Sequence, residues 1–271
     1  RLCSAVQSAR MVKRHMRDER RAAVLHYAGG HWLSEGMQRE KTFINLLDIY
    51  VNIVLRNLIA KTPRVMLSTF DRASKPAVSA MEKWVNKEID DAKLANTLQR
   101  ICLDALFSIA ICKVSLATPA DAAIGAWGVG AGEPIAQRVD PDDFVCDVHA
   151  RDFSEVSFIG HRYRAPLAVI KDSNLYDKSR KDLVASTDPR FNQEGDERIN
   201  VLGRGYYGND DELEDMVDLW EICCPRHKCI YTLAEDCLTG VMATAHGGTT
   251  VALRHQDWLG RLNHPYEILG F

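Results

Sequence analysis

The densest group of potential metal ligands lies between residues 223 and 237. It contains four cysteines and one histidine, namely Cys223, Cys224, His227, Cys229 and Cys237. Zinc prefers Cys and His ligands, and a structural zinc needs four of them in a tetrahedron. The two adjacent cysteines would point to opposite faces of a strand, and no second Cys-x-x-Cys pair completes the set. A cytosolic metal-binding or enzymatic α+β domain centred on this cluster is therefore the alternative interpretation of the chain.

Familiar catalytic and phosphate-binding motifs are absent from the sequence. The nine histidines are scattered, none belongs to an HExxH motif, and no GxSxG nucleophile elbow occurs. The Gly-rich run 125–132 is followed by Pro134 and a strand pattern rather than by a helix, so we interpret it as a turn or hairpin tip. The segment 140–143 groups three Asp with a Pro, and both are turn residues by their own chemistry. We therefore predict no enzyme activity, no cofactor and no metal.

A basic face is predicted near the N-terminus. Arg10, Arg14, Arg17 and Arg21 follow i, i+4, i+7, i+11 spacing, which places four guanidinium groups on one face of a predicted helix over residues 5–27. Guanidinium groups pair with carboxylates and phosphates. Two interpretations stay open: a solvated helix face, or a surface that binds a neighbouring subunit, a scaffold or capsid protein, or DNA phosphate.

Charge is unevenly distributed along the chain, although the net charge is only −3. Residues 1–21 hold seven Lys or Arg against two acids, whereas residues 206–221 hold seven acids and no Lys or Arg. An overall excess of acid is not typical of a free nucleic-acid-binding protein. Segregated charge is compatible with docking between subunits or partners, and the alternative is that both runs are solvated.

Composition places the chain among globular proteins. Of its 271 residues, 46% are apolar and 26% charged, which excludes a disordered tail. The longest nearly uncharged helical stretch, Ile101–Cys112, falls short of the ~20 residues of a membrane helix, and no secretion signal follows Arg1. The eight cysteines form no regular framework, so we expect a reducing cytosol.

Helical periodicity dominates the first half. Besides residues 5–27, the pattern predicts a helix over 43–60, a short strand over 64–70, and a helix pair over 76–92 and 94–110. The 43–60 stretch is apolar almost all round, which is typical of a helix inside a packed bundle.

Short strand patterns dominate the second half. They are predicted at 112–117, 135–139, 144–147, 155–163, 216–223, 228–233, 241–245, 251–254 and 266–271. A short helix over 167–171 and a long polar loop over 172–212 interrupt them. Helices followed by strands predict an α+β fold, an N-terminal helical bundle packed on a mixed or antiparallel β region. We expect three regions: a basic N-terminal helix in 1–30, a helical region in 31–118 and a β-rich region in 119–271.

An ordered series of segments spans residues 30–271. The segments are His31-Trp32, Phe43–Ile59, Thr62-Pro63-Arg64-Val65, Asp104–Phe107 leading to Cys112–Ser115, Val139–Asp147 with its D-P-x-x-F-x-x-D pattern, Phe158–Tyr163, the V-x-x-W-E strand Val217–Ile222, and the P-Y strand Asn263–Phe271. In order and spacing this series resembles tailed-bacteriophage portal proteins, the head-to-tail connectors. Each segment alone is weakly specific.

The resemblance implies a non-enzymatic structural subunit. It implies a wing-like helical region, a wing- or clip-like β region, and a homo-oligomeric, dodecameric ring at the capsid vertex of the virion, assembled in the host cytoplasm. Its expected partners are the major capsid or scaffolding protein, the terminase large subunit, tail adaptor proteins and double-stranded DNA in the channel, with no membrane.

In the family a stem helix and a tunnel loop follow the P-Y strand, so we expect both to be missing from this chain or to lie beyond Phe271. A cytosolic adaptor without a ring is a third interpretation.

Overall fold

The α+β prediction is confirmed. The structure, a computed structural model, describes residues 1–29, 44–117, 130, 132–183, 215–235 and 252–270. Within these residues five helices precede the first strand, and the strands that follow form two antiparallel sheets. The chain divides into two compact units. We call residues 1–10 and the described part of 145–264 the sheet unit, and the described part of 11–144 and 265–270 the helical unit.

Two helices occupy the N-terminal segment, where the sequence predicts one. Helix α1 covers Leu2–Val12 and helix α2 covers Arg14–Tyr27. Lys13 lies in the turn between them, with φ −74° and ψ −8°. The prediction of one continuous helix over 5–27 is therefore wrong in this detail, and Arg10 lies on a different helix from the other three arginines of the predicted face.

Helices α3 to α5 follow the predicted pattern closely. Helix α3 covers Leu46–Leu58, α4 covers Lys75–Asp91 and α5 covers Leu94–Phe107. Asn45 caps α3, because its side-chain oxygen accepts the backbone N–H of Asp48 at 3.1 Å. Its amide nitrogen also donates to the carbonyl of Tyr27 at 2.6 Å, which ties the start of α3 to the end of α2.

The helical unit contains the smaller sheet. Strands β1 (Ile109–Leu116), β2 (Pro134–Val139) and β8 (Tyr266–Gly270) pair in the order β2-β1-β8. β1 and β2 pair antiparallel with Leu116 opposite Pro134. Most of the Gly-rich run 125–132 between them lies outside the described residues, so its interpretation as a hairpin tip stays a prediction. Gly132 adopts φ +92° in that connection, a conformation that favours glycine.

The sheet unit contains most of the larger sheet. Its strand order is β3-β4-β5-β6-β7, with β3 at Phe144–Cys146, β4 at Ile159–Pro166, β5 at Met216–Cys224, β6 at Cys229–Ala234 and β7 at Arg254–Asp257. The β5–β6 hairpin turns through Pro225–His227, at the predicted place. The short helix α6, Leu167–Asp172, directly follows β4.

The core of the sheet unit lies around β5. One cluster of buried side chains combines the first helix with strands β5 and β6: Val6, Ala9, Val145, Phe158, Trp220, Ile222, Cys224, Cys229 and Leu233. A second cluster includes Leu167 and Ile170 of α6 together with Val217 and Leu219 of β5. Nearly every residue of β5 is buried, which is typical of a central strand with material on both faces.

Gly160 allows two strands to approach each other. It lies in β4 opposite Ile222 of β5. A Cβ at this position would overlap the backbone carbonyl oxygen of Glu221. The glycine of the Phe158–Tyr163 segment is therefore explained by the close approach of the β5 backbone.

Three expectations about strands are not met as stated. The strand predicted at 155–163 begins at Ile159, after a short 3-10 helix at Phe153–Glu155. Residues 62–69 form no strand, because Val65 exchanges hydrogen bonds with the side chain of Asn86 on α4, and the N–H of Leu67 donates to Glu82. The strand near residue 251 lies instead at Arg254–Asp257. The predicted strand at 241–245 and residues 184–212 of the predicted polar loop lie outside the described residues. The region boundaries near residues 30 and 118 also fall there and stay a prediction.

Candidate functional site

Arg10 belongs to a cluster within the sheet unit. Its guanidinium carbon lies 5.2 Å from the centroid of the Trp220 ring, and its Nη1 lies 2.8 Å from Oε1 of Glu235. The indole N–H of Trp220 donates to the other carboxylate oxygen of Glu235. The partly buried guanidinium is thus stabilised by an aromatic face and a carboxylate of its own chain.

Arg21 and its neighbour Arg20 bind the turn before β3. Nη2 of Arg20 lies 2.7 Å from Oδ1 of Asp142 and 3.2 Å from Oδ1 of Asp140, and Nε of Arg21 lies 3.6 Å from Oδ2 of Asp142. Arg20 makes the closer contacts, although it lies outside the predicted arginine face. The clustering of Lys and Arg in residues 1–21 was the only sequence signal for it.

The other two arginines of the predicted face differ in exposure. Arg14 is exposed, and Arg17 is half-buried and engaged in contacts. The structure therefore does not present the four guanidinium groups as one equivalent surface: Arg10 and Arg21 are paired with carboxylates of this chain. Arg14 is the member of the set most accessible to a partner.

The segment 140–143 is a turn, as the sequence predicts. The N–H of Asp143 donates to the carbonyl of Asp140 at 2.9 Å, and the N–H of Asp142 donates to Oδ1 of Asp140 at 3.0 Å. This is the side-chain-to-backbone bonding for which Asp is favoured in turns. Because Arg20 and Arg21 neutralise its carboxylates, the segment stabilises the helical unit.

A nearly buried ion pair joins α5 to β2. Both carboxylate oxygens of Asp104 accept hydrogen bonds from Arg138, one of them at 2.8 Å from Nη2. The Asp104 side chain is only 9% exposed. The hydrogen bond to Asp104, opposed by burial, raises the pKa of Arg138, and the charges of Asp104, Asp140 and Asp143 add to the rise. The pair fixes the position of the helix against the sheet in a bidentate geometry.

Asp147, the last residue of the D-P-x-x-F-x-x-D pattern, anchors the loop between β3 and β4. Its carboxylate accepts the hydroxyl of Ser157 at 2.5 Å, the N–H of Ser157 at 3.3 Å and the N–H of His149 at 3.0 Å. The hydrogen bond from Ser157 is the main reason that the pKa of Asp147 is lowered, although burial opposes it. The role visible for this residue is to hold a loop.

The predicted metal-ligand cluster is partly assembled by the β5–β6 hairpin. Cys224 lies directly opposite Cys229, and both belong to the buried cluster around Trp220. The thiol of Cys223 lies 3.9 Å from the carbonyl oxygen of Asn263. Cys237 lies outside the described residues. Among the residues that the structure describes, no three His, Cys, Asp or Glu side chains are grouped so that they could hold a metal ion.

The electrostatics of these thiols oppose ionisation. Burial, with a contribution from neighbouring Cys224 and Glu221, raises the pKa of Cys223 to about 12. Burial, with Cys229, raises the pKa of Cys224 to about 11. As free thiols these two side chains therefore stay protonated at neutral pH and pack as small apolar groups.

Apolar surface is concentrated on two helices of the helical unit. In α3 only Val51 is buried, so the expectation that this helix lies inside a packed bundle is wrong for the described structure. Four side chains are spaced i, i+3, i+4, i+7 along α3 and are half-exposed or more: Leu46 at 72%, Ile49 at 48%, Tyr50 at 63% and Ile53 at 54%. We call these four residues the α3 stripe.

A second stripe with the same spacing lies on α4. It consists of Ala77, Ala80, Met81 and Trp84, all exposed, with Met81 and Trp84 at 57% each. We call these four residues the α4 stripe. The largest apolar patch on a typical monomeric protein measures about 300–600 Å² and is often functional, so the two stripes are candidate interaction surfaces. The sequence predicted both helices, but no local signal indicated that their apolar faces would be exposed.

Of the acidic run 206–221, Asp215, Asp218 and Glu221 lie among the described residues. Asp218 and Glu221 lie in β5 and are 8% and 7% exposed, so these two residues do not contribute to an acidic docking face. Asp210, Asp211, Glu212 and Glu214 lie outside the described residues.

Within the described ranges, no helix has both the length and the apolar character that crossing a bilayer requires.

Among known proteins, neither a protein-family model nor a curated protein matches the chain.

Proposed function

We propose that the chain is a structural subunit of a bacteriophage portal ring, without catalytic activity of its own. The single observation that carries the proposal is the exposed apolar surface of α3 and α4 in the helical unit. Assembly into a ring would cover such faces, and apolar patches of this size are often functional.

The segments that resemble portal proteins support the same function. Val217–Ile222 forms most of the central strand β5, with Trp220 fully buried, and Phe158–Tyr163 leads into and begins the adjacent strand β4. Tyr266 begins β8 and lies 6.0 Å, centroid to centroid, from the ring of Phe144. These three segments therefore supply buried structural positions, as expected for a protein that forms a scaffold.

The proposed role is a conduit and a docking platform. Copies of the subunit form a dodecameric ring at one capsid vertex, held by the major capsid or scaffolding protein. Double-stranded DNA passes through the ring during packaging and ejection, and the terminase large subunit and later the tail adaptors dock on it. A ring closes through heterologous contacts, in which two different surfaces of each subunit meet.

Electron microscopy of the purified chain, over a range of salt concentrations, tests the proposal. Annular particles with a constant number of subunits are the expected result. A monomeric, non-annular species under all conditions contradicts it.

Metal analysis of the same preparation, purified without chelator, tests the alternative centred on Cys223, Cys224, His227, Cys229 and Cys237. About one zinc per chain, lost together with the fold on chelation, would favour a metal-binding domain over the portal subunit. Under the portal proposal, chelation leaves both the fold and the particles unchanged.

A further inference from the structure

The two apolar stripes of the helical unit differ in the size of their side chains. The α3 stripe carries four bulky side chains, whereas the α4 stripe begins with Ala77 and Ala80 before Met81 and Trp84. Helices pack when the ridge of side chains on one helix enters a groove on the other, and small residues create such a groove. Both stripes extend over two helical turns with the same i, i+3, i+4, i+7 spacing, which is the anchor pattern of a helix that docks in a groove.

Neither stripe is covered by the described part of its own chain. Val51 is the buried residue of α3, and α4 has no buried residue. On α4, the side that carries Glu82 and Asn86 is occupied by the segment around Val65 and Leu67 through the hydrogen bonds described above. Trp84 lies on another side of the helix and is 57% exposed.

The available area suits a stable contact between subunits. A fully exposed large side chain has an accessible area of about 150–250 Å². At the exposed fractions of its residues, the α3 stripe has an apolar accessible area of roughly 400 Å² and the α4 stripe one of roughly 300 Å². A standard interface buries about 1,600 Å² in total, of which a little more than half is apolar. One α3 stripe against one α4 stripe therefore supplies most of the apolar area that such an interface needs.

We propose that the α3 stripe of one copy docks on the α4 stripe of a second copy of this chain. The inference rests on the proposed ring assembly and specifies the surfaces that form its contacts. Because the two stripes differ, the contact is heterologous, and each copy keeps one unused stripe for the next copy. Repetition of this contact produces a closed ring when the rotation between copies closes.

A pair of charge-bearing variants tests the contact. Ile53→Glu breaks the α3 stripe, and Trp84→Glu breaks the α4 stripe. Matched controls place the same residue at exposed positions on the flanks of the same helices, Asn52→Glu on α3 and Ser79→Glu on α4. Sedimentation velocity measures the concentration at which half of each protein is assembled, and circular dichroism verifies that each variant keeps its helices.

The expected result has two parts. Ile53→Glu and Trp84→Glu each raise the half-assembly concentration at least about tenfold, as for loss of a central interface residue, while both controls assemble like the wild type. A mixture of the two stripe variants forms 1:1 dimers and nothing larger, because the intact α3 stripe of one variant still fits the intact α4 stripe of the other.

Three results would overturn the proposal. If both stripe variants formed rings as stable as those of the wild type, the contact between subunits would lie elsewhere, and the proposed portal function would be unaffected. If the particles in the mixture were no heavier than those that each variant forms alone, the heterologous pairing of these two stripes would be excluded. A wild-type chain that stays monomeric would overturn both this contact and the proposed ring, and would assign the stripes to a different partner.

Discussion

Strand β5 and helix α3 are comparably apolar in sequence but differ in how their side chains are covered. In β5, Trp220 is 1% exposed and Ile222 is fully buried, because α1 and strand β6 pack against them within the same unit. In α3, Leu46 and Tyr50 are more than 60% exposed. Hydrophobicity therefore predicts that an apolar side chain will be covered. The surface that covers it can belong to the same chain or to a second molecule. The sheet unit buries its apolar strand within its own core, whereas the helical unit leaves apolar side chains of α3 exposed among the described residues.

The two tryptophans offer the strongest test of this difference. Trp220→Ala removes a fully buried indole, its hydrogen bond to Glu235 and the aromatic face beneath Arg10, so we expect a loss of about 3–5 kcal/mol in the free energy of unfolding. Trp84→Ala, at a half-exposed position, should cost less than about 1 kcal/mol in dilute protein. Urea unfolding, at a protein concentration too low for assembly, measures the free-energy losses of both variants. Equal losses would contradict the comparison.

The next largest effect is expected at the Asp104–Arg138 pair in the helical unit. Arg138→Ala leaves the carboxylate of Asp104 without its bidentate partner, at 9% side-chain exposure, and we expect a loss of about 2–3 kcal/mol in unfolding free energy. Arg64→Ala is the matched control, because the Arg64–Asp90 pair has side-chain exposures of 58% and 43% and exposed pairs contribute about 0–1 kcal/mol. Similar losses for the two variants would show that the pair does not fix α5 on β2.

Local sequence signals predicted elements better than they predicted surfaces. Helical periodicity was enough to place α3 and α4, and the strand patterns on either side of Pro225 were enough to place the β5–β6 hairpin. The turn at Lys13 has no Gly or Pro to indicate it. The Arg20–Asp142 and Arg138–Asp104 pairs join residues more than thirty positions apart, and no local pattern specifies such partners. Residues 64–70 have strand character, but side chains of α4 take the place of a partner strand.

A third comparison separates two arginines of the predicted basic face. Arg10→Gln removes the ion pair to Glu235 and the contact with Trp220, and we expect it to lower the unfolding free energy of the sheet unit by about 1–2 kcal/mol. Arg14→Gln changes an exposed residue and should stay within about 0.5 kcal/mol of the wild type. Thermal or urea unfolding distinguishes them. If Arg14 were instead the more costly position, its exposed placement would be incorrect.

The smallest effect should appear in the loop between β3 and β4, and it depends on pH. Ser157→Ala removes the main hydrogen bond that lowers the pKa of Asp147, and we expect a loss of about 1 kcal/mol at pH 7. Because the folded-state pKa lies below the ordinary value of about 3.9, this stabilisation is present above that value and is lost as pH falls through the folded-state pKa. Unfolding curves from pH 7 downward should therefore converge for the two proteins. A difference that grows in acid would contradict the assignment.

We propose that a second copy of the chain covers the apolar surfaces of the helical unit. The mass of the wild-type protein, measured by sedimentation velocity and mass photometry from nanomolar to micromolar concentration, tests it most directly. We predict a concentration-dependent transition from the 30.4 kDa chain to one discrete species whose mass is a fixed multiple of it. A 30.4 kDa monomer at every concentration and salt condition would contradict the claim.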